Sequence, residues 1–121
     1  MSKTRINTGR WGERKAAEYL TSIGYKIEES NFRCNLGEID IIGWDEDVLV
    51  FIEVKTRKTD TFGDALESIN YWKRRKISRV AMYFIKKKNL DYMNCRFDVI
   101  TVINNNNQIK INLYKDAFQF V

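Results

Sequence analysis

A chain of 121 residues is sized for one domain with a single core and no need of covalent staples. It carries 21 Lys and Arg against 16 Asp and Glu, a net charge of +5, and this modest basicity favours a polyanionic partner. Histidine is absent, which excludes Ser-His-Asp triads, Cys-His nucleophiles and histidine-ligated hydrolases within this chain, so hydrolytic chemistry here must run on carboxylates, lysine and a metal ion.

The two cysteines, Cys34 and Cys95, are far apart and form no CxxC pair, as expected of reduced thiols in a cytoplasmic protein. No apolar run reaches the ~18 residues that span a bilayer, and Met1-Ser2-Lys3-Thr4-Arg5 lacks the apolar core of a signal peptide. The expectation is therefore a cytoplasmic protein with no membrane association. Neither an internal repeat nor a linker divides residues 1–121, which read as one domain with a flexible basic arm over residues 1–7.

The first helix is predicted from Thr8, as N-cap, to Ile23, with Gly24 in the left-handed position that follows a last turn. Ala16, Leu20 and Ile23 form its apolar stripe. Gly12 and Glu13 continue that stripe one turn earlier, whereas Glu18 lies about 160° round the wheel from Leu20. Glu13 is thus a carboxylate leaning toward the core. A strand starts at Tyr25 and runs to Glu29, and Asn31 to Gly37 leads into a second strand, Gly37-Glu38-Ile39-Asp40-Ile41-Ile42. The acidic turn Asp45-Glu46-Asp47 joins it to a third, Phe51-Ile52-Glu53-Val54-Lys55-Thr56-Arg57. Residues 58–63 read as a polar loop and Asp64-Ala65-Leu66-Glu67 as a capping box. A long helical region then extends to about Lys87, with a break near Asn70. Its stripe is Ile77, Val80, Ala81 and Phe84, and Lys73 extends it one turn back toward the sheet. A fourth strand covers Arg96 to Ile103, Asn104 to Asn107 form a hairpin turn, a fifth strand covers Gln108 to Tyr114, and Lys115 to Val121 close the chain. The order is α-β-β-β-α-β-β, a mixed α/β sheet with helices packed on it.

Side chains alternate along a strand. Glu53 and Lys55 therefore share one face with Ile52 and Val54 on the other, and Glu38 and Asp40 are expected to share a face opposite Ile39 and Ile41. Charged groups inside such apolar strands cost several kcal/mol unless they are paired or bind a metal. With their polar faces aligned, Asp40, Glu53 and Lys55 meet within about 5–8 Å. Carboxylates crowded in this way make a hard-oxygen site suited to Mg²⁺ or Mn²⁺, and a lysine beside them stabilises charge at a phosphoryl group. Arg57, on the face of Lys55, is placed for a phosphate contact. Lys73, Arg74, Arg75, Lys76 and Arg79, next to Tyr71 and Trp72, make the second helix the most basic segment, and its first group can form a phosphate-contacting surface. Lys86 to Lys88 read instead as a solvated helix end.

Gly37-Glu38-Ile39-Asp40 followed by Glu53-Val54-Lys55 resembles the PD-(D/E)xK nuclease superfamily. Trp11-Gly12-Glu13-Arg14, Tyr19-Leu20, Gly24-Tyr25, Asn31-Phe32-Arg33, Gly37 to Ile42 and Phe51 to Arg57 are more closely similar to the YraN-like family of small bacterial predicted endonucleases, which is related to archaeal Holliday-junction resolvases. The likeness covers about residues 8 to 103. It implies a restriction-endonuclease-like fold and a catalytic and metal-binding set in which Glu13 is the helix acid, Asp40 and Glu53 the strand acids and Lys55 the lysine. Ile39 stands at the motif's proline position. The resemblance implies an Mg²⁺- or Mn²⁺-dependent endonuclease on DNA, with branched DNA as the implied substrate and a homodimer as the state to test. Arg33, Arg57, Lys73, Arg74 and Lys76 are the expected nucleic-acid contacts. The competing readings are a nucleic-acid-binding module with little turnover and an adaptor whose embedded charges form ion pairs.

Overall fold

The structure, a computed structural model, describes residues 3–59, 69–90 and 94–121. Its elements are α1 (Lys3–Ser22), β1 (Lys26–Cys34), β2 (Gly37–Asp45), β3 (Val48–Arg57), α2 (Tyr71–Lys87), β4 (Cys95–Asn105) and β5 (Gln108–Phe118). The order α-β-β-β-α-β-β is the expected one. The strands form one sheet, β1-β2-β3-β4-β5, in which β3 and β4 pair in parallel and the other neighbours are antiparallel. A parallel pair needs a long crossover, and α2 lies within it. Among the described residues no helix is long and apolar enough to cross a membrane.

Both faces of the sheet are covered, which is why β3 and β4 read as nearly continuous apolar runs. On one face α2 places Ile77, Val80, Ala81 and Phe84 against Phe32, Ile39, Phe51, Phe97 and Val99. On the other α1 places Ala16 and Leu20 against Ile41, Val50, Ile52, Ile100 and Val102. The Phe84 ring meets Phe32 edge-on at 5.1 Å. Each such side chain contributes about 1.5–3 kcal/mol by leaving water.

Several boundaries differ from the sequence expectation. The first helix begins at Lys3, so Thr8 is internal rather than an N-cap and residues 3–7 are helical rather than an arm. No proline or glycine precedes Gly9 to stop the helix from extending. Ile23 is 45% exposed and does not extend the Ala16–Leu20 stripe, because the helix ends at Ser22 and Gly24 takes a positive φ. The first strand runs on to Cys34, absorbing the expected lead-in. The fifth runs to Phe118, and its Asp116, at φ +55°, accompanies a register shift opposite Phe97 and Val99. The expected break near Asn70 is the start of α2: the Asn70 side chain accepts the Lys73 backbone N–H at 3.0 Å. The capping box at Asp64–Glu67 lies outside the described residues, as does the loop from residue 60 onward.

Gly37 opens β2 with φ +146°, where a side chain is strained. A β-carbon there would also come within 3.0 Å of Lys76 Cε and 3.2 Å of Val80 Cγ2. Gly37→Ala is therefore expected to lower unfolding free energy by about 1–3 kcal/mol, read by urea denaturation. A loss below about 0.5 kcal/mol would contradict this placement of α2 over the turn.

Candidate active site

The pleat of β2 breaks at Asp40. Ile39 packs on the α2 face and Ile41 on the α1 face, so Ile39 and Ile41 do not share a face as regular alternation requires. The β2–β3 ladder runs from the hairpin turn only as far as Ile41 opposite Ile52. Beyond it the Val54 backbone N–H donates to Asp40 Oδ2 at 2.8 Å. The side chain thus replaces the β2 backbone as acceptor, and the carboxylate is held against β3 where the strands part.

β3 keeps its regular pleat. Ile52 and Val54 face α1 while Phe51 faces α2, and Glu53 and Lys55 alternate onto the side of Phe51 as expected. Glu53 is buried, with 8% exposure. Its Oε2 lies 3.3 Å from Lys55 Nζ and 2.8 Å from Lys73 Nζ, so Lys73 does lean from its helix onto the sheet. Asp40 stands beside Glu53, and its pKa is pushed up to about 7, first by burial and then by the Glu53 charge, against the Val54 N–H. Burial also raises the Glu13 pKa, aided by Glu38 and Glu53 and opposed by a hydrogen bond with Asn31. Burial lowers the Lys55 pKa, with Lys73 acting the same way against the pull of Glu53. Burial works against the Lys73 cation too, but its bond to Glu53 outweighs it and the pKa rises.

Gly12 lets α1 bring Glu13 close: a β-carbon at Gly12 would collide with Thr56 Oγ1. Glu13 adds to the negative potential felt by Asp40. Among the described residues, however, no three His, Cys, Asp or Glu side chains stand ready to hold one metal ion. The acid that Asp40 feels most strongly is Glu53.

This pair lies in an open cleft of about 630 Å³ between the β1–β2 turn and the start of α2. Arg33, Lys73 and Lys76 are among its walls, with Glu38 and Trp72. Arg33 is exposed and pairs with Glu38, Nε to Oε2 at 3.1 Å. Of the other expected contacts, Arg74 and Arg57 are not among these walls. Arg74 is half-buried with its Nε lacking a hydrogen-bond partner among the described residues, and Arg57 donates to the Thr56 carbonyl at 3.0 Å.

A second polar cluster escaped the sequence reading. Asp98, fully buried, accepts from the Tyr25 hydroxyl at 2.9 Å, from Arg96 Nε at 2.8 Å and from the Asp116 N–H at 2.9 Å. Arg96 also reaches Asp45 at 2.9 Å, where Lys115 stands 3.3 Å away. Its signal was Arg96-x-Asp98, opposite charges two apart in a strand, the same spacing as Glu53-x-Lys55.

The raised Asp40 pKa has a stability consequence. Between about pH 4 and pH 7 the folded chain holds a proton on this group that the unfolded chain has lost, so stability falls as pH rises through that window. Asp40→Asn keeps an acceptor for the Val54 N–H and removes the charge. Without divalent ions it is expected to raise the thermal midpoint by several degrees at pH 8, on the order of 1–3 kcal/mol, and by little at pH 4. An equal shift at both pH values, or a loss at pH 8, would contradict the assignment.

Residues 12–102 match the Uncharacterised protein family UPF0102. A UPF0102 protein of Clostridium kluyveri is 50% identical over 113 residues, covering 92% of this chain and 93% of that protein. One from Clostridium botulinum is 50% identical over 114 residues, with 92% and 93% covered. One from Syntrophus aciditrophicus is 43% identical over 114 residues, with 94% and 90% covered. The family match contains the Gly37–Asp40 and Glu53 segments that line the cleft, together with Glu13 and Lys55, and the chain belongs to the UPF0102 family, the YraN family.

Proposed function

We propose that the chain is an Mg²⁺- or Mn²⁺-dependent endonuclease that hydrolyses DNA phosphodiester bonds, in a cytoplasmic setting. One observation carries the reading: Asp40, with its pKa pushed up to about 7, lines a cleft with basic walls together with buried Glu53. A hard cation would offset both the burial and the Glu53 charge that raise that pKa. The donor set is all oxygen, which fits Mg²⁺ or Mn²⁺. Mg²⁺ commonly binds through one or two carboxylates, completing its shell with waters and substrate phosphate, so two neighbouring acids suffice. Asp40 and Glu53 would hold the ion, and Glu13 would add negative potential beside it.

When bound, the ion supplies charge stabilisation at the phosphoryl group and acidifies water. The remaining roles fall to this chain's own side chains. Asp40, fixed by the Val54 N–H, cannot swing away from Glu53 without losing that bond. Lys55, 3.3 Å from Glu53, places an ammonium where negative charge grows on the phosphoryl oxygens. Lys76 and Arg33, on the cleft walls, contact backbone phosphates and hold the strand in register. The resemblance to junction resolvases makes branched DNA the first substrate to test and a homodimer the first assembly to look for.

A second reading has one observation in its favour. Lys55 and Lys73 both sit on Glu53 Oε2, so that carboxylate has cationic partners without an ion. The chain would then be a nucleic-acid-binding module with little turnover, and its DNA affinity would be salt-sensitive and survive Asp40→Asn.

Incubation with single-stranded, duplex, flap and four-way DNA in Mn²⁺ separates the two. Cleavage of at least one substrate is expected, with Asp40→Asn and Glu53→Gln each slowing it by about 100-fold or more. Undiminished cleavage by both variants would overturn the catalytic assignment. Binding without cleavage by the unaltered chain would favour the module.

A further inference from the structure

Trp72 has no part in the reading above, yet it is a wall of the same cleft as Asp40 and Glu53. Its exposure is 72%, against 37–46% for the other exposed large apolar side chains among the described residues. An indole usually buries most of its large surface in a core or an interface, so a packing role does not explain this one. The side chain is also braced. Trp72 is the second residue of α2, next to the Asn70 cap. The Tyr71 ring stands against it at 5.1 Å and 84°, and Arg75 donates to the Tyr71 hydroxyl at 3.4 Å.

Lys73 and Lys76 follow on the same helix and Arg33 stands on the β1–β2 side of the cleft. A basic groove that tracks phosphates, together with a solvent-open aromatic on which a base can stack, is the combination that binds single-stranded nucleic acid. A continuous duplex keeps its base faces stacked on each other and offers an indole none. An unpaired nucleotide offers one.

We infer that Trp72 is a stacking platform for an unpaired nucleobase, and that the DNA bound in this cleft carries a single-stranded segment beside the phosphate held at Asp40 and Glu53. The position of the scissile phosphate rests on the proposed nuclease function. The stacking itself does not.

The test is binding without cleavage, in EDTA at low salt, of a fluorescent oligothymidylate and of a blunt duplex of equal length. Trp72→Ala is expected to weaken single-strand binding roughly 5- to 150-fold while changing duplex binding by less than about 2-fold. Trp72→Phe should recover most of the loss, which a change in charge or fold would not. The unaltered chain's tryptophan fluorescence should be quenched by the oligothymidylate, and the quenching should disappear in Trp72→Ala although Trp11 and Trp44 remain. Equal single-strand affinity in Trp72→Ala and the unaltered chain would overturn the inference. So would an equal loss on both DNAs, or no binding of single strands by the unaltered chain. Trp72-dependent binding by a chain that cleaves nothing leaves the stacking standing and removes the nuclease reading. Cleavage indifferent to both Trp72 and strandedness does the reverse.

Discussion

The crowding of Asp40 and Glu53 in a site shielded from water decides what the rest of the site can be. Two carboxyl groups this close and this shielded from water cannot both carry full charge at low cost, and the chain answers by holding a proton on Asp40 to about pH 7. That arrangement depends on a backbone event, the pleat break that sends Ile39 and Ile41 to opposite faces. It also depends on the Val54 N–H, which fixes Asp40 against β3. Close packing of Gly12 on Thr56 brings Glu13 within reach of the same field.

The two polar clusters of the sheet show what distinguishes a structural charge network from a reactive one. Around Asp98, one hydrogen-bonding group comes from its own strand, Arg96, one from the neighbouring β5, the Asp116 N–H, and one from Tyr25, and the Arg96 guanidinium is shared between Asp98 and Asp45. The result is a closed set of satisfied groups of the kind that fixes how elements meet. Asp45 is accordingly held below the usual carboxylate range, chiefly by Arg96. Asp40 moves the other way, first because it is buried and then because Glu53 and Glu13 stand near it. Opposite charges two residues apart in a strand are common to both clusters. The surplus of acid, and an open cleft beside it, belong to only one.

Much of this was legible in the residues because the period of each element was legible. Alternation along β3 placed Glu53 and Lys55 on one face and Ile52 and Val54 on the other. The helical stripe Ile77, Val80, Ala81, Phe84 placed Lys73 against the sheet, and its ammonium is found 2.8 Å from Glu53. What failed were inferences that extended a period past the point where tertiary contacts interrupt it. Ile23 fits the α1 stripe on paper but follows the helix end, and Ile39 and Ile41, expected on one face, pack on opposite faces across the point where β2 leaves β3. Along the basic run Lys73–Lys76 the helix turns about 100° per residue, so Lys73 and Lys76 share the cleft while Arg74 is not among its walls. The Asp98 network brings together residues far apart in the chain, so no local spacing announced its closure.

The account stands on Asp40 and Glu53 together holding a divalent cation, and calorimetric titration of the chain with Mn²⁺ measures that most directly, alone and with an oligonucleotide present. Binding should be tighter at pH 8 than at pH 6, should release protons as Asp40 ionises, and should be abolished by Glu53→Gln. No binding at pH 8 with DNA present, or binding indifferent to pH and to Glu53→Gln, would contradict it.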